Sequence, residues 1–245
     1  MKVILAIAIL ASTALTERSM PLYGNSTIGY YYIEAFVGSP PQKKALILDT
    51  GSHLTTFPCK GCSNCNDHTN GLFDPSKSAT FQPLKHDTDY FGWKCPFRLS
   101  KKCNFQQTYV EGSEYKGFYA IDNFLFKNEL PLQKEGQNYQ HIFGCSTVET
   151  GDFFDQEADG IIGFGVPMTS KSESIPPTII DIEFMEKRTN NRSFALCIAP
   201  NGGSLTIGSS NSLLHLKNSQ KIAIDCSQMD WSGQYQAYLS GISVD

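Results

Sequence analysis

A wholly apolar run, residues 45–48 (ALIL), leads directly into an acidic residue, Asp49, and a glycine follows two positions later. Short uninterrupted apolar runs are typical of strands that are buried on both faces. A carboxylate is rarely placed at the end of such a strand unless hydrogen bonds compensate for its burial. The Gly51 N–H and the Ser52 hydroxyl lie within local reach of Asp49, whereas the Thr50 hydroxyl would point away from it. The sequence therefore predicts a buried strand that presents Asp49 on a hydrogen-bonded turn.

Short runs rich in β-branched and aromatic residues, separated by Gly, Pro, Asn and Asp, recur along the chain and predict an all-β fold. Strands are predicted at 29–37, 45–48, 105–109, 117–126, 142–144, 194–199 and 204–207. The third and fourth of these runs flank a glycine-containing turn, which predicts a β-hairpin. Residues 177–187 predict the one clear helix, because paired prolines stand at its start and Ile179, Ile182 and Met185 follow at helical spacing.

The N-terminus predicts a protein that enters the secretory pathway. Met1 and Lys2 are followed by the apolar run 3–11 and then by small residues, the pattern of a signal peptide, which we place at 1–14. The run is far shorter than the ~20 apolar residues that span a bilayer, so we expect no membrane segment beyond it. The mature protein would be secreted or would lie in the endoplasmic reticulum, a lysosome or a vacuole. A short N-terminal segment, 15–28, would precede the first strand.

All eight cysteines follow the signal peptide, so they would meet an oxidising environment in which disulfides persist. They stand at Cys59, Cys62, Cys65, Cys95, Cys103, Cys145, Cys197 and Cys226. Up to four bridges can form, with a connectivity that the sequence leaves open, and the loop 59–70 is expected to be held by its own bridges. The alternative is a zinc site built from the first three cysteines and His68. Zinc sites usually pair two ligand clusters, however, and no second CxxC or HxxxH follows.

The composition narrows the classes of function. The 245 residues carry 20 basic and 24 acidic side chains, a net charge of −4, without basic clusters, so there is no electrostatic case for nucleic-acid binding. A hydrophobic share of 40% is enough to build a core and excludes a wholly disordered chain. Glycosylation sequons begin at Asn25 and Asn191. The side chains of Lys43 and Lys44 are interpreted as solvated surface.

Around Asp49 the chain resembles the pepsin-like aspartic proteases. The Asp49 turn alone could simply join two strands, but five stretches match the family's pattern in the family's order. They are Tyr-x-Glu with Gly-Ser-Pro-Pro-Gln at 32–42, Leu-Ile-Leu-Asp-Thr-Gly-Ser at 46–52, Phe-Asp-Pro-Ser-Lys-Ser-Ala-Thr-Phe at 73–81, Tyr-Val-Glu-Gly-Ser with Gly-Phe at 109–118, and Ala-Asp-Gly-Ile-Ile-Gly at 158–163. The cysteine-rich stretch 57–65 and the Tyr-x-Glu-Gly-Ser pattern narrow the resemblance to the nepenthesin-type and plasmepsin V-like branch.

The resemblance implies a pepsin-like acid protease fold and assigns roles to two groups of residues. The N-terminal lobe would cover 29–212, with a cysteine-rich insertion at 59–70. Residues 213–245 would form the start of an incomplete C-terminal lobe. The catalytic loop would be Asp49, Thr50, Gly51 and Ser52, and the substrate-binding flap would carry Tyr109, Glu111, Gly112 and Ser113. No metal or cofactor is implied, the substrate would be a peptide or protein, and the full-length chain is expected to be a monomer.

Two departures from the family pattern bear on catalysis. Thr56 stands where the family usually carries a tryptophan that hydrogen-bonds the flap tyrosine, which puts the support of Tyr109 in question. The family's second Asp-(Ser/Thr)-Gly is also absent, because Asp159 is followed directly by glycine without the hydroxyl residue. A C-terminal truncation, a homodimer with one such Asp per subunit, and an inactive protein are the three explanations. Truncation is favoured, because residues 235–245 resemble the strands that open the second lobe.

The favoured hypothesis is an aspartic endopeptidase in which this chain supplies the first catalytic Asp. Two facing carboxylates share one proton, and the pair activates a water molecule that attacks the peptide bond. The alternative is a catalytically inactive secreted binding protein on the same scaffold, motivated by the missing second Asp and by Thr56. A zinc-binding module at 59–68 ranks last.

Overall fold

The computed structural model of the protein describes residues 18–95, 102–127, 139–165 and 175–209. Within these ranges the chain forms thirteen strands and two α-helices, α1 (Asp152–Asp155) and α2 (Ile179–Met185). The strands are β1 (Arg18–Asn25), β2 (Tyr30–Val37), β3 (Gln42–Asp49), β4 (Thr56–Pro58), β5 (Gln82–Pro83), β6 (Asp89–Tyr90), β7 (Trp93–Lys94), β8 (Asn104–Thr108), β9 (Glu114–Phe126), β10 (Gln140–Thr150), β11 (Gly160–Gly163), β12 (Phe194–Ile198) and β13 (Asn201–Ile207). The predicted all-β fold is confirmed. The predicted signal peptide at 1–14 and the predicted second lobe at 213–245 lie outside the described residues.

Eleven of the strands form one sheet, in the order β12-β13-β1-β2-β3-β11-β4-β10-β9-β5 with β8 paired to β9, and β6 and β7 form a separate ribbon. Most neighbours are antiparallel, but β11 runs parallel to β3 and β4 runs parallel to β10. An additional pairing joins β2 to β9, so the central strands curl into a barrel-like ring. β3 therefore has a strand on each side, β2 and β11, as expected for a wholly apolar run.

The core forms from the inward faces of these strands. Leu46, Phe57 and Phe143 are fully buried in one cluster, where the rings of Phe57 and Phe143 stack with centroids 4.6 Å apart. A second cluster includes Tyr115 and Phe153. Offset aromatic pairs of this kind add about 1 kcal/mol to the free energy gained by burying their area. The aromatic-rich runs that predicted strands thus also supply the core.

α2 is the helix that the sequence predicted at 177–187, and it is shorter than predicted. Thr178 caps its N-terminus in a capping box, in which the Thr178 hydroxyl accepts from the Asp181 N–H and the Asp181 carboxylate accepts from the Thr178 N–H. Ile179 and Ile182 are buried, so the predicted apolar face packs into the core.

No helix within the described ranges is long and apolar enough to cross a membrane.

The first strand begins earlier than the sequence predicted. β1 lies within 15–28, the segment that was expected to precede the first strand, so that expectation was wrong. Met20 and Leu22 are buried in the core, and β1 pairs antiparallel with β13 near the far end of the described chain. The run contains Pro21 and few β-branched residues, so its period-two pattern is weak. Its place in the sheet depends on a partner strand far away in the sequence.

Three disulfides are present among the described residues: Cys59–Cys145, Cys62–Cys65 and Cys95–Cys103. The prediction that the loop 59–70 is held by its own bridges is correct for Cys62–Cys65 alone, because Cys59 instead ties the loop to β10. The sulfurs of the loop cysteines are therefore not free thiolates that could bind zinc, and the alternative zinc site was wrong. The described ranges contain no cluster of three or more His, Cys, Asp or Glu residues suited to a metal ion.

A fourth disulfide stays a prediction. Cys197, on β12, is exposed and is the free cysteine among the described residues. Cys226 lies outside them.

Candidate active site

The carboxylate of Asp49 lies at the end of β3, on the turn that the sequence predicted. The Gly51 N–H donates to Asp49 Oδ1 over 2.8 Å, and the Ser52 hydroxyl donates to Asp49 Oδ2 over 2.5 Å. Both donors come from within three residues of the acid, as predicted. Each carboxylate oxygen thus has one partner from the turn itself, and these charge-assisted bonds fix the orientation of the group.

Strand β11 supports this turn from the side. Gly163 pairs with Asp49 in the parallel ladder, and the Phe164 N–H donates to the Asp49 carbonyl over 2.7 Å. The Gly165 N–H donates to the Ser52 carbonyl over 2.8 Å. A Cβ atom at Gly163 would come within 2.4 Å of the backbone that follows the turn, so this close approach requires glycine. The predicted Gly-Ile-Ile-Gly element therefore crosses directly beside Asp49.

The predicted hairpin is formed by β8 and β9, which pair antiparallel and are joined by residues 109–113, here called the flap. The Tyr109 N–H donates to the Ser113 carbonyl over 2.9 Å, and the Gly112 N–H donates to the Tyr109 carbonyl over 3.0 Å. Gly112 has a φ of +95°, a left-handed conformation that favours glycine. Val110 at the tip is fully exposed. The flap is thus a tight turn that projects from the sheet.

Tyr109 is a partly buried flap residue whose hydroxyl oxygen is buried. Burial raises the pKa of its hydroxyl, the nearby Ser52 hydroxyl acts in the opposite direction, and the Asp49 and Glu111 carboxylates raise it further. The Ser52 hydroxyl is the polar group that acts on the Tyr109 hydroxyl, but among the described residues no hydrogen bond of normal geometry forms with it.

Thr56 takes no part in supporting the flap tyrosine. Its hydroxyl donates to the Gly144 carbonyl over 3.0 Å, across from β4 to β10. The residue is fully buried within the sheet. The departure noted in the sequence therefore leaves the Tyr109 hydroxyl without the tryptophan partner that the resemblance implied.

A cleft of about 480 Å³ lies between the Asp49 turn and the flap. Four of the eight predicted site residues line it, namely Asp49, Thr50, Tyr109 and Glu111. The other four, Gly51, Ser52, Gly112 and Ser113, support these two loops and do not line the cleft. Ser113 in particular is buried, and its hydroxyl oxygen accepts a hydrogen bond from the Asp152 N–H over 3.0 Å. The structure thus places Ser113 against α1, not at the substrate position that was predicted for it.

Several cleft residues were missed by the sequence analysis. Tyr30 and Tyr31 from β2, Phe153 and Gln156 from around α1, and Ile198 from β12 also line the cleft. The tyrosines lie in a run that predicted only a strand, and a four-residue helix such as α1 has no periodic signal to find it by. The apolar lining of the cleft therefore comes from segments that are distant in sequence and meet only in the folded protein.

Comparison with known proteins identifies the scaffold. The family described as "Xylanase inhibitor N-terminal" matches residues 31–209. Aspartic protease 5 of Toxoplasma gondii is 34% identical over 203 residues, which is 76% of this chain and 20% of that protein. Plasmepsin V of Plasmodium falciparum is 33% identical over 196 residues, which is 76% of this chain and 31% of that protein. The chain belongs to the pepsin-like aspartic protease family.

A plant relative extends the same comparison. Aspartic proteinase 39 of Arabidopsis thaliana is 28% identical over 183 residues, which is 68% of this chain and 38% of that protein. The chain thus spans at most 38% of the length of these three relatives. The residues matched are those of the all-β lobe described above.

Asp159 is a second acidic residue in this aspartic protease lobe, at the opposite end of the β3–β11 pairing from Asp49, and it is fully buried. Its Oδ2 accepts from the Ala45 N–H over 2.5 Å and from the Asn70 side-chain amide over 2.6 Å, while its Oδ1 accepts from the Asn70 N–H over 2.7 Å. These donors tie the cysteine-rich loop to β3. Asp159 therefore has a structural role, in line with the missing hydroxyl residue after it.

Lys44 is buried, so its interpretation as solvated surface was wrong. It is 1% exposed, and its Nζ donates to the Gly71 carbonyl over 2.5 Å. Burial lowers the pKa of Lys44, and the nearby Asp159 carboxylate acts in the opposite direction. Lys43, in contrast, is exposed and pairs with Glu34. The two neighbouring lysines thus lie on opposite sides of the strand, as the two-residue period of a strand requires.

His68, the residue considered as a zinc ligand, instead holds the end of the cysteine-rich loop. Its Nδ1 lies 2.9 Å from the Gln156 carbonyl, and its Nε2 lies 2.9 Å from Glu149 Oε2. Burial disfavours the charged ring, but the hydrogen bonds to Glu149 and Gln156 outweigh it and raise the pKa of His68. A protonated ring donates from both nitrogens and satisfies both acceptors.

Proposed function

We propose that this chain carries one half of the active site of an aspartic endopeptidase, with Asp49 as a catalytic carboxylate. The observation that carries the proposal is the position of Asp49, which lines the cleft and is held by two donors from its own turn. Tyr109 and Glu111 line the same cleft from the flap and would contact a bound peptide. The relatives named aspartic protease 5 and aspartic proteinase 39, together with plasmepsin V, support the same function.

In the proposed reaction, Asp49 and a second carboxylate share one proton beside a bound water, because like charges so close cannot both ionise. The ionised carboxylate takes a proton from the water while the water oxygen attacks the carbonyl carbon of the peptide bond. The protonated carboxylate donates its proton to the carbonyl oxygen. The carboxyl group that took the water proton then gives it to the nitrogen of the diol, the other carboxylate takes a proton from one diol hydroxyl, and the C–N bond breaks to yield a carboxylic acid and an amine.

The second carboxylate would come from a second lobe. This sequence holds a single Asp-(Ser/Thr)-Gly, at 49–51, so we propose that residues beyond 245 supply the partner motif. In the part of the molecule that the structure describes, Ile198 lines the cleft and is 57% exposed. An apolar residue this exposed at the cleft is consistent with a second lobe that covers it. Closure of the flap over a peptide would exclude water from the reacting atoms, as lids do in other enzymes.

We further propose that the protein works in the secretory pathway on peptide or protein substrates. The three disulfides of the described residues favour an oxidising compartment, and the apolar N-terminus has the pattern of a signal peptide. Glycosylation at Asn25 and Asn191 belongs to the same proposal.

The test has a sequence step and a biochemical step. The downstream transcript should encode a second Asp-(Ser/Thr)-Gly, and the full-length product should cleave an unfolded protein at acid pH. Asp49→Ala should reduce cleavage by about 10³-fold or more, since one of the two carboxylates that activate the water and the carbonyl is lost. Asp87→Ala, at a site remote from the turn in sequence, should match the parent. Equal cleavage by the parent and by Asp49→Ala would show that another protease is responsible.

A catalytically inactive binding protein is the second candidate. It is favoured by the single motif, by Thr56 in the tryptophan position, and by a family description that names an inhibitor. A downstream lobe without a catalytic Asp, together with peptide binding that Asp49→Ala leaves unchanged, would favour this candidate over the protease.

A further inference from the structure

The flap tyrosine lies over the cleft without a hydrogen bond of normal geometry to its hydroxyl. The Tyr109 hydroxyl is buried, the Ser52 hydroxyl is near it but not in normal hydrogen-bond geometry, and the Thr56 hydroxyl bonds to Gly144 instead. A flap that joins only two strands by a five-residue turn would be free to tilt away from the cleft. Some other contact must therefore set the position of the Tyr109 ring.

That contact is a stack of aromatic rings supplied by α1 and β9. The edge of one ring meets the face of the other between Tyr109 and Phe153, with centroids 4.7 Å apart and planes at 79°. Phe153 in turn stacks on Tyr115 at 4.2 Å and 18°. Both geometries are those that aromatic quadrupoles favour. Phe153 is buried between the two tyrosines, and Tyr115 is fully buried behind it.

The base of the flap is fastened to the same helix. The Asp152 N–H, in the first turn of α1, donates to the Ser113 hydroxyl oxygen over 3.0 Å. A Cβ atom at Gly151 would lie 2.5 Å from that oxygen, so the two segments are in close contact. The Gln156 side chain, just beyond α1, donates to the Tyr115 hydroxyl over 3.1 Å and so fixes the far end of the stack.

We propose that Phe153 is a positioning residue that holds the flap over the cleft through the ring of Tyr109, with Tyr115 and the Ser113–Asp152 hydrogen bond as its supports. α1 thereby holds the flap in place through these contacts, without a hydrogen bond to the Tyr109 hydroxyl. The consequence for catalysis rests on the proposed function, whereas the consequence for flap mobility does not.

The first test is amide hydrogen exchange on the chain itself. The reporters are the Tyr109 and Gly112 N–H groups, which make the two hydrogen bonds of the flap. In Phe153→Leu, which keeps an apolar side chain but loses the ring, these two amides should exchange about 2- to 10-fold faster, the range expected for loss of one aromatic pair. Phe153→Tyr, which keeps the ring, should restore the parent rate.

A matched control separates positioning from general stability. Phe124 is also buried, makes an edge-to-face contact with Phe126 on the same strand β9, and lies away from the flap. Phe124→Leu should lower the melting temperature without a selective change at the two flap amides. If Phe153→Leu does not fold, Ser113→Ala, which removes only the second tie, should still speed exchange at the flap. Unchanged flap exchange in both variants would overturn the proposal.

The second test uses the full-length protease. Phe153→Leu should lower kcat/KM about 2- to 10-fold through a higher KM, with recovery in Phe153→Tyr. A KM equal to that of the parent, despite faster flap exchange, would overturn the catalytic part of the proposal. A full-length protein that cleaves nothing in any variant would instead remove the proposed function, and the flap exchange result would stand.

Discussion

Asp49 ends strand β3, Asp159 directly precedes the parallel strand β11, and the two carboxylates have very different surroundings. Asp159 is fully buried and accepts three hydrogen bonds, from Ala45 and from both amides of Asn70. Asp49 accepts from Gly51 and Ser52 in its own turn and lines the open cleft. The two acids begin and end the same paired segment, since the Asp159 N–H donates to the Ala45 carbonyl and Gly163 pairs with Asp49.

The surroundings of the two acids show that the Asp49 carboxylate, and not that of Asp159, faces the cleft. Asp159 accepts its hydrogen bonds from segments that are remote in sequence, and it thereby joins β3 to the cysteine-rich loop. Donors that come from the adjacent turn orient Asp49 and leave its cleft side open to a ligand. We therefore expect replacement of Asp49 to change the stability of the fold less than replacement of Asp159, whose hydrogen bonds join distant segments.

The largest effect on stability is expected at Asp159. Asp159→Ala removes a buried carboxylate and leaves the Ala45 and Asn70 donors unpaired, so the free energy of unfolding should fall by about 3–5 kcal/mol. Denaturant unfolding of the chain measures this. Asp155→Ala, at an exposed acid on α1, is the matched control and should change stability by less than about 0.5 kcal/mol. Equal effects of the two substitutions would contradict the structural role of Asp159.

A pH-dependent effect of intermediate size is expected at His68. Its raised pKa means that the folded state binds the proton more tightly than the unfolded state, so this stabilisation is full below about pH 6.5, the ordinary histidine value, and is lost as the pH rises through the raised pKa. His68→Gln should therefore cost about 2 kcal/mol at pH 5 and less at pH 8. Unfolding free energies at both pH values measure the difference.

The control for this experiment is His86→Gln, because His86 is exposed. It should show no such difference between pH 5 and pH 8. A cost for His68→Gln that grows with pH would contradict a protonated His68 between Glu149 and Gln156.

The smallest effect is expected at Ser52, the donor that orients Asp49. Ser52→Ala removes one hydrogen bond to the carboxylate, so cleavage by the full-length protein should fall about tenfold, equivalent to about 1.4 kcal/mol, with little change in stability. Ser52→Thr keeps a hydroxyl and is the matched variant, which should retain more activity. A loss of stability with unchanged cleavage would place Ser52 with Asp159, in the structural class.

Sequence alone predicts the parts of the site whose contacts are local. Gly51 and Ser52 lie within three residues of Asp49, and the flap is a hairpin, so short-range rules were sufficient for both. The partners of Asp159, Lys44 and β1 lie far away in the sequence, and Cys59 pairs with Cys145, 86 residues further on. Burial of Lys44 and the ring stack at Phe153 follow from how strands and loops meet in three dimensions, which periodicity does not encode.

The central claim is that Asp49 serves chemistry and not stability, and Asp49→Asn tests it most directly. We predict that the free energy of unfolding of Asp49→Asn lies within about 0.5 kcal/mol of the parent, since a turn residue at an open cleft is replaced by one of equal size. Cleavage by the full-length Asp49→Asn protein should be lost. A destabilisation as large as that of Asp159→Ala, combined with retained cleavage, would contradict the account.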